Sequence, residues 1–182
     1  IYSSLIKRVT LSIIILYFLL YNLNFTQIGI LAAVLAFSTV VLEVPTGIFA
    51  DKKGRKNSLI ITSVTGTISM LFYLIGGNFL IFLIATIFFS FSMSFFSGSR
   101  DALLYDSLIA IKKEKEYKKY LGSMHFMANL ISGLMLLIMP FIYNLNVKLP
   151  FVIGTGFYLA SFFLILYAIE PPVKKHIEDS LA

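Results

Sequence analysis

The sequence predicts an all-α integral membrane protein, a bundle of six transmembrane helices, from three observations. Of its 182 residues, 58% are hydrophobic and 13% are charged, whereas soluble domains average about 45–50% apolar and about 25% charged residues. One span needs about 20 mainly apolar residues, so the chain has room for about six. The Lys and Arg residues lie between the apolar segments, and basic loops alternate with uncharged ones. This composition excludes a soluble enzyme.

Six apolar segments define the expected helices, in chain order. They lie at about 5–22, 27–50, 57–76, 79–104, 122–143 and 149–169. Turn-forming or charged residues separate them, since Gly, Pro and Asn interrupt apolar runs and charges end them. These breaks fall at 22–24, 51–57, 76–78, 112–119, 144–148 and 171–172. Residues 1–170 are therefore predicted to form one six-helix transmembrane domain, and 171–182 to begin a cytoplasmic linker.

The distribution of positive charge predicts the orientation. Of the 15 Lys and Arg residues, thirteen lie on one side of the alternation, Lys148 lies on the other, and Arg100 lies within a span. Loops rich in Lys and Arg face the cytoplasm, so both termini of this multi-pass protein are expected on the cytoplasmic side of the plasma membrane. Because the basic residues form short clusters between spans, they indicate topology in a lipid bilayer and not a nucleic-acid partner.

The loop after the second segment carries the most specific pattern, GIFADKKGRK. Gly47 lies four residues before Asp51, on the same helix face, and allows a second helix backbone to approach closely. Asp51 falls at a helix end, where a half-buried carboxylate needs a partner. Gly54 permits a tight turn that brings Arg55 back toward Asp51. We therefore predict an ion pair at this corner.

This pattern, G-x-x-x-D-[KR]-x-G-R-[KR], resembles the loop signature of the major facilitator superfamily, found between the second and third helices of its N-terminal half. The matching residues are Gly47, Asp51, Lys52, Gly54, Arg55 and Lys56. The preceding EVPT run, from Glu43 to Thr46, is similar to the drug-efflux-like and uncharacterised permeases of that superfamily, and residues 118–122 resemble the start of its fifth helix. Two features depart from it: Ser94 stands near the position of a common arginine, and the fifth segment lacks the G-P-x-x-G-G run of proton-driven drug antiporters.

The resemblance implies two three-helix inverted repeats, which together form the N-terminal half of a twelve-helix transporter. The expected function is secondary active transport of a small solute by alternating access, with efflux as the preferred direction and proton coupling left open. The expected partner is a C-terminal six-helix half or a second copy of this chain. Because the chain begins at Ile1 and not at Met, we expect it to be a fragment of a longer protein.

Four ionisable residues within or beside the spans are candidate functional residues, because a charge in the bilayer is costly unless it is paired or hydrated. Glu43 and Arg100 lie at comparable predicted depth and could pair, with Asp101 beside Arg100. Glu43 or Asp101 is alternatively a proton-coupling carboxylate, since burial raises the pKa of a carboxyl group. Asp106 lies two residues beyond the fourth segment.

Asp106 is expected near the motif loop if the second and fourth helices are neighbours, as the resemblance implies. We hypothesise an Asp51–Arg55–Asp106 cluster that latches the cytoplasmic side in the outward-facing state and releases during rocking of the two halves. A static set of ion pairs is the alternative interpretation.

Two other classes of function are compatible with part of the sequence. A six-span substrate-binding subunit working with a separate ATPase fits the composition but does not explain the motif loop. An intramembrane serine hydrolase would use Ser97 or Ser99 with His125, because a nucleophilic serine needs a base. Ser94, Gly98 and Ala102, spaced by four, are better interpreted as a helix-packing stripe. No catalytic residue, metal site or cofactor is predicted.

Overall fold

The computed structural model describes residues 13–167, and within this part of the chain every regular element is a helix. The first helix, α1, is described over 13–20. The five that follow are α2 (Phe25–Lys53), α3 (Arg55–Ile75), α4 (Phe79–Ala110), α5 (Tyr117–Leu145) and α6 (Leu149–Tyr167). A 3-10 turn, Glu114–Glu116, precedes α5. All five helices from α2 to α6 are long and apolar enough to cross a membrane. The start of the first predicted span and the predicted linker lie outside the described residues.

The helix ends follow from local chemistry. Asn24 caps α2: its Oδ1 accepts from the Gln27 N–H at 2.8 Å, and Gln27 Oε1 accepts from the Asn24 N–H at 3.0 Å. These two reciprocal hydrogen bonds satisfy two backbone N–H groups at the start of α2 that have no partner within the helix. Asn78 caps α4 by accepting from the Ile81 N–H at 3.2 Å. Chain direction therefore changes sharply at both turns.

Two predicted boundaries were wrong at the charged connection between α4 and α5. The fourth segment was expected to end at 104 and the fifth to begin at 122, whereas α4 continues to Ala110 and α5 begins at Tyr117. Apolarity locates the part of a helix that can lie in lipid, and polar residues such as Asp106 and Ser107 continue the same hydrogen-bonded helix beyond it. The connection is correspondingly short.

The two ends of the bundle are named by their residues. The motif end is the end at which Gly54 joins α2 to α3, at which α4 ends, and toward which α6 runs. The opposite end carries the turns at 21–24, 76–78 and 146–148.

Aromatic residues form the core at the opposite end. Tyr17 is fully buried, and its hydroxyl donates to the Tyr73 carbonyl at 2.7 Å. The Tyr17 and Phe151 ring centroids lie 4.4 Å apart, and those of Phe18 and Phe82 lie 4.9 Å apart. These contacts join α1, α3, α4 and α6, so the opposite end is a dry, well-packed assembly.

Small residues bring the remaining helix pairs together. Gly98 of α4 faces Gly47 of α2: a Cβ atom added at Gly98 would lie 3.7 Å from the Gly47 Cα. Beside this crossing, the Ser94 hydroxyl donates to the Thr39 carbonyl at 3.1 Å. Ser94 and Gly98, which belong to the predicted packing stripe, thus lie on the face of α4 that contacts α2. The close approach places the motif loop against α4.

Candidate functional site

Two positive charges occupy an unfavourable position at the start of α3. Arg55 and Lys56 are its first residues, its first turn has no acidic residue, and the N-cap Gly54 supplies no side-chain hydrogen bond. The N-terminal end of a helix carries a partial positive charge that disfavours cations. Gly54 itself has a φ of 96°, a conformation that glycine adopts without strain. Partners on other helices must therefore offset the unfavourable placement of both side chains.

Arg55 finds these partners on α2 and α4. Its Nη2 lies 2.7 Å from Asp51 Oδ1, and its Nε lies 3.8 Å from Asp106 Oδ2. Its Nη1 also donates to the Gly98 carbonyl at 3.4 Å. The structure thus brings together Asp51, Arg55 and Asp106, which we call the Arg55 cluster. A single guanidinium connects three helices at the motif end.

Exposure distinguishes the two ion pairs of the cluster. The side chain of Asp51 is 64% exposed, whereas those of Arg55 and Asp106 are 20% and 26% exposed. Water and salt screen the pair with Asp51, so it contributes about 0–1 kcal/mol. The pair with Asp106 is longer but less hydrated, and it joins helices distant in sequence. Asp106 is therefore the less screened of the two carboxylate partners, and it ties α3 to α4 together with the Gly98 carbonyl.

The other motif residues take different places. Gly47 lies at the crossing with α4, while Lys52 is exposed to solvent. Lys56 turns away from the Arg55 cluster, and its Nζ donates to the Leu166 carbonyl of α6 at 2.9 Å. Side-chain patterns alone did not indicate Leu166 or Gly98 as partners, because both accept through backbone carbonyls, which every residue has.

The candidate residues deeper in the bundle are arranged differently from the expectation. Arg100 Nε lies 2.6 Å from Asp101 Oδ1, and its guanidinium carbon lies 5.2 Å from the Phe96 ring centroid. Within residues 13–167 no ion pair joins Glu43 to Arg100, so the suggested pairing was wrong. Asp101 is the adjacent residue and reaches Arg100 without involving α2. Glu43 is exposed on the surface of α2.

The serine hydrolase interpretation finds no support in the geometry. The Ser99 hydroxyl is buried and has no hydrogen-bond partner among residues 13–167, whereas a nucleophilic serine requires a base within hydrogen-bond distance. His125 is exposed on α5. In the same part of the chain, no cluster of three or more His, Asp or Glu residues could hold a metal ion.

Comparison with known proteins gives two findings. Residues 3–181 match the family model described as "Major Facilitator Superfamily". The chain is also 28% identical, over 161 residues, to a Bacillus subtilis (strain 168) protein named "Uncharacterized MFS-type transporter YxaM". That alignment covers 87% of this chain but 39% of the relative. The chain thus spans about two fifths of the length of this relative.

Proposed function

Because the chain belongs to the Major Facilitator Superfamily, we propose that it forms the N-terminal six-helix half of a membrane transporter that moves a small solute by alternating access. The family match favours a transporter over an enzyme and over a binding subunit that depends on a separate ATPase. In this proposal the substrate site lies between this half and a second, C-terminal half or a second copy, near the middle of the bilayer.

Two structural regularities support a repeat of three helices within this half. The helices α2 and α5, which occupy equivalent places in the proposed repeats, both have 29 residues. Two residues after the end of α1 and of α4 stands a residue with positive φ, Asn22 at 60° and Lys112 at 56°. In each case the next N–H bonds to a carbonyl five residues earlier, from Leu23 to Phe18 and from Lys113 to Leu108, as in a Schellman turn.

The motif end is the cytoplasmic end in this proposal, and the membrane is the plasma membrane. Seven lysines are exposed in the two connections at this end or in the adjoining helix turns, where positive charge favours the cytoplasmic side. They are Lys52, Lys53, Lys112, Lys113, Lys115, Lys118 and Lys119. Efflux is the proposed direction, on the resemblance of the run from Glu43 to Thr46 to efflux-like permeases.

The Arg55 cluster is the observation that carries the proposed mechanism. It joins α2, α3 and α4 at the end that must open and close toward the cytoplasm, and we propose that it stabilises the closed cytoplasmic side of the outward-facing state. Loss of interactions worth about 1.4 kcal/mol would change a two-state population ratio about tenfold. Such a latch biases the equilibrium without preventing the opposite state from forming.

Transport by the reconstituted full-length protein tests this mechanism. The probes are a panel of neutral and cationic fluorescent compounds, with and without a pH gradient. Arg55→Ala should strongly reduce flux, and Asp106→Asn should reduce flux more than Asp51→Asn because Asp51 is more exposed. Lys53→Ala removes a nearby positive charge outside the cluster and should transport normally. Wild-type flux by folded Arg55→Ala would contradict the latch.

Proton coupling through Glu43 is a second proposal. Glu43 is an exposed carboxylate on a membrane-length helix, and no ion pair holds it within residues 13–167, whereas Asp101 is paired with Arg100. An ionisable residue on a membrane-length helix is a candidate for a functional role in transport. Glu43→Gln should make flux insensitive to an imposed pH gradient. If wild-type flux does not respond to the gradient, proton coupling is excluded.

A further inference from the structure

The connection between α4 and α5 carries positive charge that the described helices do not neutralise. Five lysines lie between the end of α4 and the first turn of α5, and all five are exposed to solvent. They are Lys112, Lys113, Lys115, Lys118 and Lys119. Within residues 13–167 none of the five makes an ion pair, although Glu114 and Glu116 stand among them in the sequence. With five positive and two negative charges, this surface has a net charge of +3 and can attract an external anion.

A tight turn after α4 presents these lysines on the outside of the bundle. Lys112 has a φ of 56°, and the next N–H, that of Lys113, donates to the Leu108 carbonyl at 2.8 Å. Leu108 is buried and anchors the turn in the bundle. At the start of α5, the Tyr105 and Tyr117 rings meet edge to face with their centroids 5.3 Å apart. Contacts on both helices thus fix the position of the connection.

Apolar and aromatic side chains are exposed beside the lysines. Ile111 is 60% exposed, and Ile109, Tyr105 and Tyr120 are 39%, 45% and 41% exposed. Apolar side chains are unfavourable in water, and tyrosine rings favour the boundary between lipid and water. A surface that combines lysines with exposed apolar side chains is typical of segments that lie among lipid headgroups. A soluble anion would pair with the charges but would leave the apolar side chains in water.

The length of α4 places this surface at the level of the headgroups. A helix of 32 residues is about 48 Å long, and an average tilt of about 20° reduces its extent across the membrane to about 45 Å. A bilayer with its headgroups is about 40–45 Å thick. If Phe79 lies at one membrane surface, the other end of α4 at Ala110 therefore lies at the opposite surface, where lysine side chains can reach lipid phosphates.

We propose that the connection between α4 and α5 is a binding surface for anionic phospholipids, with phosphatidylglycerol as the representative headgroup. The ammonium groups of the five lysines bind the lipid phosphates, as basic clusters beside membrane helices do, while Ile109 and Ile111 contact the apolar part of the same leaflet. A lipid with a neutral headgroup matches the apolar side chains but not the charge. The surface is independent of the substrate and of the direction of transport, so it can be tested without a flux assay.

Photo-crosslinking of the full-length protein in lipid nanodiscs tests this surface. Two phospholipid probes carry the same photoreactive group, one with a phosphatidylglycerol and one with a phosphatidylcholine headgroup, and the crosslinking yield is measured on peptides from 105–120. The wild-type protein should react with the anionic probe about fivefold more than with the neutral probe, and added salt should weaken this preference because it screens exposed charges. Combined Lys112→Gln, Lys113→Gln and Lys115→Gln should remove most of the preference.

Three control variants separate lipid binding from other effects. Substitution of the same three lysines by arginine keeps the charge and should keep the preference, whereas Glu114→Gln combined with Glu116→Gln should increase it. Lys148→Gln removes a positive charge at the opposite end and should change nothing at 105–120. If the triple glutamine variant does not fold, the double glutamate variant decides the question.

Two results would overturn the proposal directly: equal yields of the two probes on the wild-type protein, or an unchanged preference in the triple glutamine variant. Replacement of sodium chloride by sodium phosphate at equal ionic strength distinguishes the remaining occupant. The yield of the anionic probe should be the same in both salts if the surface binds lipid. A lower yield in phosphate would identify a site for the free anion and would overturn the assignment to lipid.

Discussion

Substitution of Gly66 by alanine should destabilise the contact between α3 and α6. A Cβ atom added at Gly66 would overlap the Cδ1, Cε1 and Cζ atoms of the Tyr158 ring. Tyr158 is 4% exposed, so its ring has no open space to enter, and one helix must move. Overpacking of this kind costs about 1–3 kcal/mol. The preference for alanine over glycine in a helix returns about 0.5–1 kcal/mol, which leaves a net loss of up to about 2.5 kcal/mol.

Thermal stability of the purified protein in detergent provides the assay, read as the fraction that remains monodisperse after heating. For a chain of this size about 1 kcal/mol shifts Tm by about 2–4 °C, so Gly66→Ala should lower Tm by on the order of 5 °C. Gly156→Ala on α6 is the matched control, because nothing lies within 4 Å of its added Cβ, and it should leave Tm unchanged or slightly higher. Gly66→Ala combined with Tyr158→Leu should recover part of the loss. Wild-type stability of the single variant, or no recovery in the double variant, would refute the packing argument.

Two further predictions concern the contact between α2 and α4. Gly98→Ala should preserve stability and transport because its Cβ would make an ordinary contact with Gly47 at 3.7 Å, whereas Gly98→Leu should force the helices apart and lower both Tm and flux. Equal behaviour of these two variants would contradict the close crossing. Ser99→Ala should be neutral or slightly stabilising, because its hydroxyl has no partner within residues 13–167; Ser94→Ala should lose about 0.5–1.5 kcal/mol with its bond to the Thr39 carbonyl. A large loss in Ser99→Ala alone would indicate a role for that hydroxyl that the described contacts do not explain.

The properties that the sequence predicted correctly are those that depend on local composition. Apolar runs and turn residues located α2 to α6 to within a few residues, except at the polar ends of α4 and α5. The spacing of charged residues indicated that Arg55 contacts Asp51, because Asp51 lies four residues earlier in the chain. The grouping with Asp106, by contrast, depended on the family resemblance to make α2 and α4 neighbours.

Contacts through backbone atoms could not be predicted in the same way. The Gly98 and Leu166 carbonyls that accept from Arg55 and Lys56 have no distinctive side chain, so only the tertiary arrangement reveals them. Arg100 illustrates a second difficulty: depth along two helices suggested Glu43 as a partner, but Asp101 on the same helix is nearer. The predicted depth of a charged residue in the bilayer limits which residues can be its partner, but it does not identify the partner.

Under the proposed function, the contrast between the two ends of the bundle indicates where this part of the protein can move. At the opposite end, Tyr17 and its aromatic neighbours pack without exposed charges, and separating them would expose a large apolar area to water at about 25 cal/mol per Å². At the motif end, Arg55 and Lys56 hold three neighbouring helices through a few solvent-accessible polar contacts, each worth about 0–3 kcal/mol. Contacts of that size can break and re-form within a transport cycle, whereas the aromatic core cannot do so at comparable cost. If the proposed alternating access is correct, contacts at the motif end should change during the cycle while the aromatic core at the opposite end stays packed.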